Sequence, residues 1–356
     1  MKNKYGHPLW VILSLLIFSA CNKPEEYTAP AYTCIIVNQG NLSESNGSLS
    51  LLRMDGAIEQ EVYTKVNNGW KLASMIESVT LHRELLIVMC NSADKVEILN
   101  NKTFEAVCTI KEIGIPRYCA VSQNNAYVTS WDSPNPNDGG QVCKIDLATK
   151  TVVKKIRLSK LPEGIKELNG LLYVASGNGV TVINPDTDEI VRQIELSEKG
   201  VTAKHLTVDY EGKLWVSFTE TDGKTGIASL NTQTNEFSPF IPLENMDMWG
   251  NINVTPDGKK LLYLYADGVV GAQNLEAETA IYSFDIETNT QNLLFKGTGF
   301  YGFNVNPSNG DIYTANVNGF ITNSMMYIYN ASGEKINNGL TAGVGTCRFV
   351  FPAENR

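Results

Sequence analysis

Hydrophobic and polar positions alternate with a period of two along most of the chain after residue 32, and this alternation predicts β-strands rather than helices. One strand recurs seven times with similar residues. Its copies align on Val37, Val88, Val128, Val174, Val216, Leu264 and Thr314, with successive gaps of 51, 40, 46, 42, 48 and 50 residues. A repeat of about this length is typical of the four-stranded blade of a β-propeller.

Three further strand-like segments accompany the recurrent strand. A strand and a tight turn such as "PDG" or "SNG" precede it, and a third strand, a polar turn and a fourth strand follow it. The first copy, "TCIIVNQ" at 33–39, has no preceding strand, whereas "TCRFVFP" at 346–352 has the pattern of one. We therefore predict an all-β fold over 33–356: a seven-bladed β-propeller with four-stranded blades, closed by the C-terminal strand in blade one. A ring of six or eight blades and a two-sheet sandwich are the alternatives.

The connections between strands differ strongly on the two faces of such a ring. Strands within a blade are antiparallel, so consecutive connections alternate between the faces. Tight turns join first to second and third to fourth strands on one face. The second-to-third loops and the crossings between blades lie on the other face, where they are long and unlike, as in "SWDSPNPNDGGQ" and "TETDGKTG". We call this second face the long-loop face; variable loops on a rigid scaffold are where binding usually occurs.

Aromatic, amide and charged residues concentrate in the segments predicted for the long-loop face. Such a set describes a cup suited to a large, partly flat ligand with many hydrogen-bonding groups. For each aromatic residue the alternative is a structural wedge between neighbouring blades. The predicted ligand-binding residues are Asn38, Gln39, Trp70, Arg117, Tyr118, Trp131, Asp132, Glu163, Asn178, Trp249, Asn251, Tyr301, Asn316 and Arg348.

No catalytic motif accompanies these residues. HExxH, GxSxG and Walker patterns do not occur in the sequence, so zinc, serine-hydrolase and phosphate chemistry lack support. His205 begins an inner strand and is predicted to face the central channel, whereas His82 falls at a turn on the opposite face. We expect a binding protein with no catalytic residues, cofactor or metal, and a propeller lyase or hydrolase is the alternative. Its candidate acid and base would be carboxylates near the mouth: Asp132, Glu163, Glu220 and Asp267.

The first twenty residues have the features of a secretory signal. Two lysines precede the apolar stretch "LWVILSLLIF" at 9–18, which is too short for a stable transmembrane anchor. "FSAC" then resembles the cleavage box of bacterial lipoproteins, which implies that Cys21 is lipidated. We expect a signal peptide at 1–20 and a lipidated N-terminus and tether at 21–32. A plain secretory signal with an incidental cysteine is the alternative.

The segment after Cys21, "NKPEEYTAPAY", is polar, acidic and proline-containing, and it suits an extended tether. An acidic stretch in this place resembles the surface-export signal of Bacteroidota lipoproteins. It implies attachment to the outer membrane by the N-terminal lipid alone, facing the cell exterior; an inward-facing lipoprotein is the alternative. Removing the two lysines of 1–20 changes the net charge from −9 to −9 − 2 = −11. So acidic a chain disfavours nucleic acid as a partner.

Six cysteines follow Cys21, and no two of them form a CxxC pair. Their apolar, strand-like surroundings predict buried free thiols. A cross-strand disulfide, for example between Cys34 and Cys347, is the alternative in an oxidising compartment.

Several segments resemble a known group of propellers. "IIVNQGNLSESNGSLSLLRMDG" at 35–56 resembles the opening blade of Bacteroidota propeller lipoproteins. "LLYVASGNGVTVINPDTDEIVRQIEL" at 171–196 is similar to the YncE-like propeller repeat. The opening motif, together with "IPRY" at 115–118 and "NAYVTSWD" at 125–132, is most similar to the surface vitamin B12-binding propeller lipoproteins.

This resemblance implies that cobalamin or a related corrinoid is captured on the long-loop face and passed to a TonB-dependent outer-membrane transporter. The corrinoid would be a transported ligand and not a cofactor. Gln39 stands where an acidic residue is expected in the group, so a paralogue with a different large polar ligand is an alternative. A protein–protein scaffold of a nutrient-uptake complex, without a small ligand of its own, is another.

Overall fold

The computed structural model describes residues 32–135, 138–220 and 224–352. The predicted signal peptide, the lipidation site Cys21 and the tether up to residue 31 lie outside the described residues. The described chain folds into seven antiparallel sheets. Helices contribute little: α1 spans Val62–Val66, and short 3₁₀ turns span Asn91–Ala93 and Asn318–Phe320. Among the described residues, no helix has the length and apolar character needed to cross a membrane.

The strands follow one another in a regular order. They are β1 Tyr32–Asn38, β2 Ser48–Arg53, β3 Ile58–Glu59, β4 Ser78–His82, β5 Leu85–Cys90, β6 Lys95–Asn100, β7 Ala106–Lys111, β8 Ile115–Ser122, β9 Asn125–Trp131, β10 Gly140–Asp146, β11 Thr151–Leu158, β12 Pro162–Leu168, β13 Leu171–Ser176, β14 Gly179–Asn184, β15 Glu189–Glu195, β16 Thr202–Val208, β17 Leu214–Thr219, β18 Thr225–Asn231, β19 Glu236–Phe237, β20 Ile241–Pro242, β21 Ile252–Val254, β22 Lys260–Ala266, β23 Glu278–Asp285, β24 Thr290–Thr298, β25 Phe300–Val305, β26 Ile312–Asn316, β27 Asn323–Tyr329, β28 Leu340–Val344 and β29 Thr346–Val350.

These strands form the seven predicted blades. Blade 1 has the order β29-β1-β2-β3, and blades 2, 3 and 4 are β4–β7, β8–β11 and β12–β15. Blade 5 is β16–β19, with β20 also paired to β18, and blades 6 and 7 are β21–β24 and β25–β28. The inner strands contact one another in cyclic order, from β4 through to β25, β29 and back to β4. The prediction of a seven-bladed β-propeller with four-stranded blades is confirmed.

The ring closes as the sequence predicts, through the C-terminal strand. β29 pairs antiparallel with β1, so that Ile36 faces Phe349 and Val37 faces Arg348. Blade 1 therefore joins the two ends of the described chain, and the ring exposes no unpaired inner strand there.

The hydrophobic core lies between neighbouring blades. On one side of blade 1, Ile35 and Val37 pack with Val88 of blade 2; on the other side, Ile36 packs with Tyr313 of blade 7. Both faces of a blade are therefore buried in its inner half, which explains why "CIIV" is an unbroken apolar run rather than an alternating one.

The six cysteines within the described residues are free thiols. Cys34 packs towards blade 7 and Cys347 towards blade 2, on opposite sides of the blade 1 sheet. The alternative of a disulfide between them is therefore wrong. The prediction of buried free thiols holds for four of the six, whereas Cys108 and Cys119 are free but only partly buried. Burial raises the pKa of Cys347 to about 12, so the thiol stays protonated.

Candidate functional site

Four charged residues form a continuous row at the mouth of the central channel, on the long-loop face. They lie at the beginnings of four consecutive inner strands, in blades 2 to 5. We call them the charge row: Glu77, Arg117, Glu163 and Lys204. Arg117 Nη1 lies 2.7 Å from Glu77 Oε2, and its Nε lies 3.0 Å from Glu163 Oε2. Lys204 Nζ continues the row at 3.2 Å from Glu163 Oε1.

The charges in this row are paired and largely out of water. Arg117 is 5% exposed and Glu163 is 3% exposed. Burial would lower the pKa of Arg117, but Glu77 and Glu163 outweigh that effect and raise it. The Arg117 guanidinium also lies 4.2 Å from the ring centre of Trp131, whose indole N–H donates to the Pro162 carbonyl at 2.8 Å. Arg117, Trp131 and Glu163 therefore brace adjacent blades, and their polar groups already have partners.

Tyr118 and Arg348 close the channel just inside the charge row. Arg348 Nη2 donates to the Tyr118 hydroxyl at 2.7 Å, and that hydroxyl donates to Glu77 Oε1 at 3.0 Å. Arg348 Nε donates to the Glu77 carbonyl at 3.2 Å. The two side chains border a small space on the long-loop side and a separate cavity of about 250 Å³ towards the tight-turn face. The channel is thus divided into two compartments.

His205 lies below this closure and faces the channel, as the sequence predicts. It lines the cavity of about 250 Å³, and its Nε2 is 3.5 Å from the Tyr118 hydroxyl. Burial lowers the pKa of His205 well below its usual value, and Arg348, Arg117 and Lys204 lower it further. The imidazole is therefore neutral at physiological pH. His82 ends β4 on the tight-turn face, again as predicted.

The long-loop face has two adjoining hollows. The central depression, of about 80 Å³, is bordered by Glu77 and Arg117 of the charge row and by Gln39, Asn251 and Arg348. The side cavity, of about 260 Å³, lies between the loops of blades 5, 6 and 7. Trp249 and Tyr301 line both hollows. Their rings meet edge to face, with centroids 6.2 Å apart and planes at 76°, so they form a shared wall.

Asp247 is a buried carboxyl in the wall of the side cavity. It is 7% exposed, and its Oδ1 accepts a hydrogen bond from the Asn251 backbone N–H at 3.3 Å. Its Oδ2 is buried and has no hydrogen-bond partner among the described residues. Burial raises the pKa of Asp247 to about 7, against the lowering effect of the Asn251 and Gly250 backbone N–H groups.

The structure brings half of the predicted binding residues together. Those that border the central depression are Gln39, Arg117, Tyr118, Trp249, Asn251, Tyr301 and Arg348. Trp131 and Glu163 reach this region only through Arg117. Asn251 is committed in part, because its Nδ2 donates to the Phe303 carbonyl at 3.1 Å.

Asn38 has a structural role and is not available to a ligand. It is fully buried, and its Nδ2 donates to Ser48 and Ser50 at 3.2 and 2.9 Å. Its Oδ1 accepts from the Gly343 N–H and the Thr346 hydroxyl at 3.0 and 2.8 Å. These bonds tie blade 1 to blade 7 where the ring closes.

Four predicted residues lie away from the two hollows. Trp70 is 70% exposed and borders a shallow groove with α1 and β7, at the edge of blade 2. Asp132 pairs with Arg157 of the outer strand β11, at 2.9 and 2.5 Å. Asn178 donates to the Leu196 carbonyl at 3.2 Å, and Asn316 Oδ1 accepts from the Asn318 N–H at 2.8 Å. The contacts of Asp132, Asn178 and Asn316 each lie within a single blade.

Sequence reasoning missed Glu77, Lys204 and Asp247. The repeat carries a signal for the first two. In each of blades 2 to 5 the aligned residue of the repeat pairs with one residue of the inner strand. The member of the charge row stands two residues before that inner-strand residue. Those pairs are Val79 with Val88, Cys119 with Val128, Ile165 with Val174 and Leu206 with Val216. Asp247 lies in an irregular crossing between blades, where the repeat offers no such signal.

The four carboxylates considered as candidate acid and base do not all converge on one point. Asp132 pairs with Arg157 and Glu163 belongs to the charge row, whereas Glu220 and Asp267 both line the side cavity. Within the described residues, no group of three or more His, Cys, Asp and Glu side chains is placed to hold a metal ion. The arrangement can present aromatic surface, amides and carboxyl groups to a ligand.

Residues 32–355, the whole propeller, match the domain of unknown function DUF5074. The chain belongs to the DUF5074 family. No curated protein matches this DUF5074 chain at a significant level.

Solved structures with the same fold are distant in sequence from this DUF5074 protein. The periplasmic gluconolactonase of Pseudomonas aeruginosa is 14% identical, with a TM-score of 0.66 over 89% of this chain and 99% of that one. A putative 6-phosphogluconolactonase from Bacteroides fragilis is 12% identical, with a TM-score of 0.65 over 92% and 100%. A streptogramin B lyase is 13% identical, with a TM-score of 0.56 over 92% and 90%. These similarities show the propeller fold and nothing more specific.

Proposed function

We propose that this DUF5074 protein is a lipid-anchored outer-membrane protein that binds a large polar small molecule on its long-loop face and passes it to a TonB-dependent transporter. The best candidate ligand is cobalamin or a related corrinoid. The observation that carries the proposal is the shared wall of Trp249 and Tyr301, which joins the central depression and the side cavity into one polar-aromatic surface.

The geometry favours a ligand that lies across this face. Arg348 and Tyr118 lie between the central depression and the deeper cavity, which favours binding at the surface of the face. The two hollows, of about 80 and 260 Å³, are too small to enclose a corrinoid. Such a ligand would rest on Trp249 and Tyr301 and place its edge groups in the hollows, near Gln39.

Binding explains the site better than catalysis does. The charged groups at the channel mouth, Glu77, Arg117 and Glu163, are engaged with one another. His205 is neutral and lies on the far side of the closure. A lyase or hydrolase would need an acid and a base directed at one point, and these residues do not supply them.

Calorimetry with cobalamin and cobinamide tests the proposal. We expect binding to the wild-type chain and at least tenfold weaker binding to Trp249→Ala, because loss of a stacked indole costs about 1.4 kcal/mol or more. Trp70→Ala is the matched control, since it removes an indole that is 70% exposed outside the hollows. Absence of heat with both corrinoids, or equal affinity of Trp249→Ala and wild type, would refute corrinoid binding at this wall.

A scaffold function is the second candidate, and exposed apolar side chains on the same face favour it. The loops of blades 6, 7 and 1 pack against one another: Asn41 Nδ2 donates to the Phe320 carbonyl at 3.1 Å, and Ala272 and Leu275 lie against Gly319. We call the exposed residues on these loops the apolar ridge: Leu42, Met248, Val269, Leu275 and Ile321, which are 45 to 66% exposed. Groups of exposed apolar side chains mark contact surfaces for other proteins.

Affinity purification from membranes separates the two candidates. A transporter that co-purifies with the wild-type chain in corrinoid-free medium, but not with a Val269→Ser/Ile321→Ser variant, supports docking through the apolar ridge. If calorimetry with that wild-type chain also shows no corrinoid binding, the scaffold function stands alone. A transporter that co-purifies equally with the variant rules out the ridge as its docking surface.

A further inference from the structure

The side cavity has a more specific chemistry than the rest of the long-loop face. Its volume is about 260 Å³. Three carboxyl side chains and three aromatic rings contribute to its walls: Glu220, Asp247, Asp267, Trp249, Phe300 and Tyr301. Among the described residues that line it, none is a lysine, arginine or histidine.

Asp247 supplies the observation that points to a ligand. The side chain is more than nine-tenths buried, yet Oδ2 has no hydrogen-bond partner among the described residues. Oδ1 is satisfied by the Asn251 N–H. A buried carboxyl oxygen without a partner is costly, and a donor or cation brought by a ligand would remove that cost.

The nearest basic residues do not neutralise this carboxyl group directly. Lys204 and Arg348 lower the pKa of Asp247 from a distance. Lys204 pairs with Glu163, and Arg348 donates to Tyr118 and to the Glu77 carbonyl. In the described structure, the charged side chains that line the cavity are therefore all acidic, which favours a cationic ligand over an anionic one.

The aromatic walls distinguish an organic cation from a metal ion. Divalent metals require a cage of oxygen or nitrogen ligands, and no such group of side chains occurs in the described residues. Alkylammonium groups are bound instead by aromatic rings together with a carboxylate. Trp249 and Tyr301, whose ring planes meet at 76°, form a corner of the required kind.

We propose that the side cavity binds the ammonium group of a small organic cation, with Asp247 as its anionic partner and Trp249 and Tyr301 as its aromatic walls. The cavity would hold this cation whether or not the rest of the long-loop face binds a corrinoid.

Choline and its uncharged analogue 3,3-dimethylbutan-1-ol test this site by calorimetry on the full mature chain at low salt. The two probes have nearly the same shape, so they differ in charge alone. We expect choline to bind and the alcohol to bind at least about tenfold more weakly. Equal binding of the two probes, or no binding of choline, would overturn the proposal.

Asp247→Asn locates the charge within the cavity. The amide keeps the Oδ1 acceptor for the Asn251 N–H and removes the negative charge, so choline should bind at least about tenfold more weakly. Asp132→Asn is the matched control: it removes the same charge from the same face, beside Arg157 and away from the cavity, and should bind choline like wild type. Trp249→Leu, which keeps bulk without a ring, should lose affinity independently. Wild-type affinity in both Asp247→Asn and Trp249→Leu would contradict the proposal, and the loss in Trp249→Leu decides if Asp247→Asn does not fold.

The pH dependence of choline affinity gives a further readout, because choline is cationic at every pH. The charged groups around Asp247 are Glu220 and Asp267, which also line the cavity, and Arg348 and Lys204, which lower its pKa. Since the pKa of Asp247 is about 7, wild-type affinity should rise between about pH 5.5 and pH 8 and then level off. Asp247→Asn should not show this rise, and an equal rise in the variant would assign it to another group.

Discussion

The charge row and the side cavity lie side by side on the long-loop face, and they treat buried charge in opposite ways. In the charge row every carboxylate meets a cation: Arg117 lies between Glu77 and Glu163, and Lys204 completes the pairing. In the side cavity, Asp247 is equally buried, but its Oδ2 has no partner in the described structure.

This difference indicates that the charge row supports the fold, whereas the side cavity is suited to binding. The paired charges of the row hold the inner strands of four blades at fixed positions. They leave few charged groups available to bind a ligand. A buried carboxyl oxygen without a hydrogen-bond partner costs free energy, and the cation that we propose for the side cavity would remove that cost. Four substitutions test this contrast, beginning with the largest expected effect.

Arg117→Met should cause the largest loss of stability. It keeps the size of the side chain but leaves Glu77 and Glu163 buried without their shared cation. Removing one partner of a buried ion pair costs about 3–5 kcal/mol, which urea unfolding monitored by circular dichroism would measure. A loss below about 1 kcal/mol would mean that the charge row is not a structural brace.

Asp247→Asn should stabilise the protein instead, and its effect on the free energy of unfolding should depend on pH. The folded-state pKa of Asp247 is about 7, above the value of 3.8 for an unperturbed aspartate. Stability associated with the protonated carboxyl is therefore present below about pH 4 and lost as pH rises to about 7. The variant escapes this loss, so its advantage over wild type should grow across that window to at most about 4 kcal/mol. Denaturant unfolding from about pH 4 to pH 8.5 checks this, and a variant less stable than wild type at pH 8.5 would be inconsistent with a buried, unsatisfied carboxyl.

Lys204→Met should have a moderate effect. Glu163 then retains Arg117 as one cation, since the two are 3.0 Å apart. We expect a loss of about 1–2 kcal/mol in urea unfolding, well below that of Arg117→Met. A loss equal to that of Arg117→Met would show that the row depends on its end as much as on its centre.

Arg157→Ala should have the smallest effect. Its pair with Asp132 lies on the same face, but the Arg157 side chain is 63% exposed. Exposed ion pairs contribute less than about 1 kcal/mol, so unfolding curves should nearly superimpose on wild type. A loss of stability comparable to that of Arg117→Met would show that burial does not determine how much these ion pairs contribute.

The sequence predicted the blades well and the site in part. Strand pattern and repeat spacing are local properties, so blade number, closure at "TCRFVFP" and the face that carries Trp249 and Tyr301 could all be predicted. Asn38 shows the limit: its strand-end position suggested a ligand contact, but Gly343 and Thr346, more than 300 residues away along the chain, use its acceptor oxygen. Which polar groups are already partnered depends on neighbours in other blades.

The one-dimensional pattern established an all-β ring of seven blades with a long-loop face, because alternation, turns and repeat length each act over a few residues at a time. Whether a given polar side chain is used inside the fold or left for a ligand depended on the folded ring. Arg117 forms ion pairs with residues that lie 40 and 46 positions away along the chain. Asp247 Oδ1 instead accepts a hydrogen bond from Asn251 in its own loop. Such pairing arises when blades pack side by side, and no pattern within one blade encodes it.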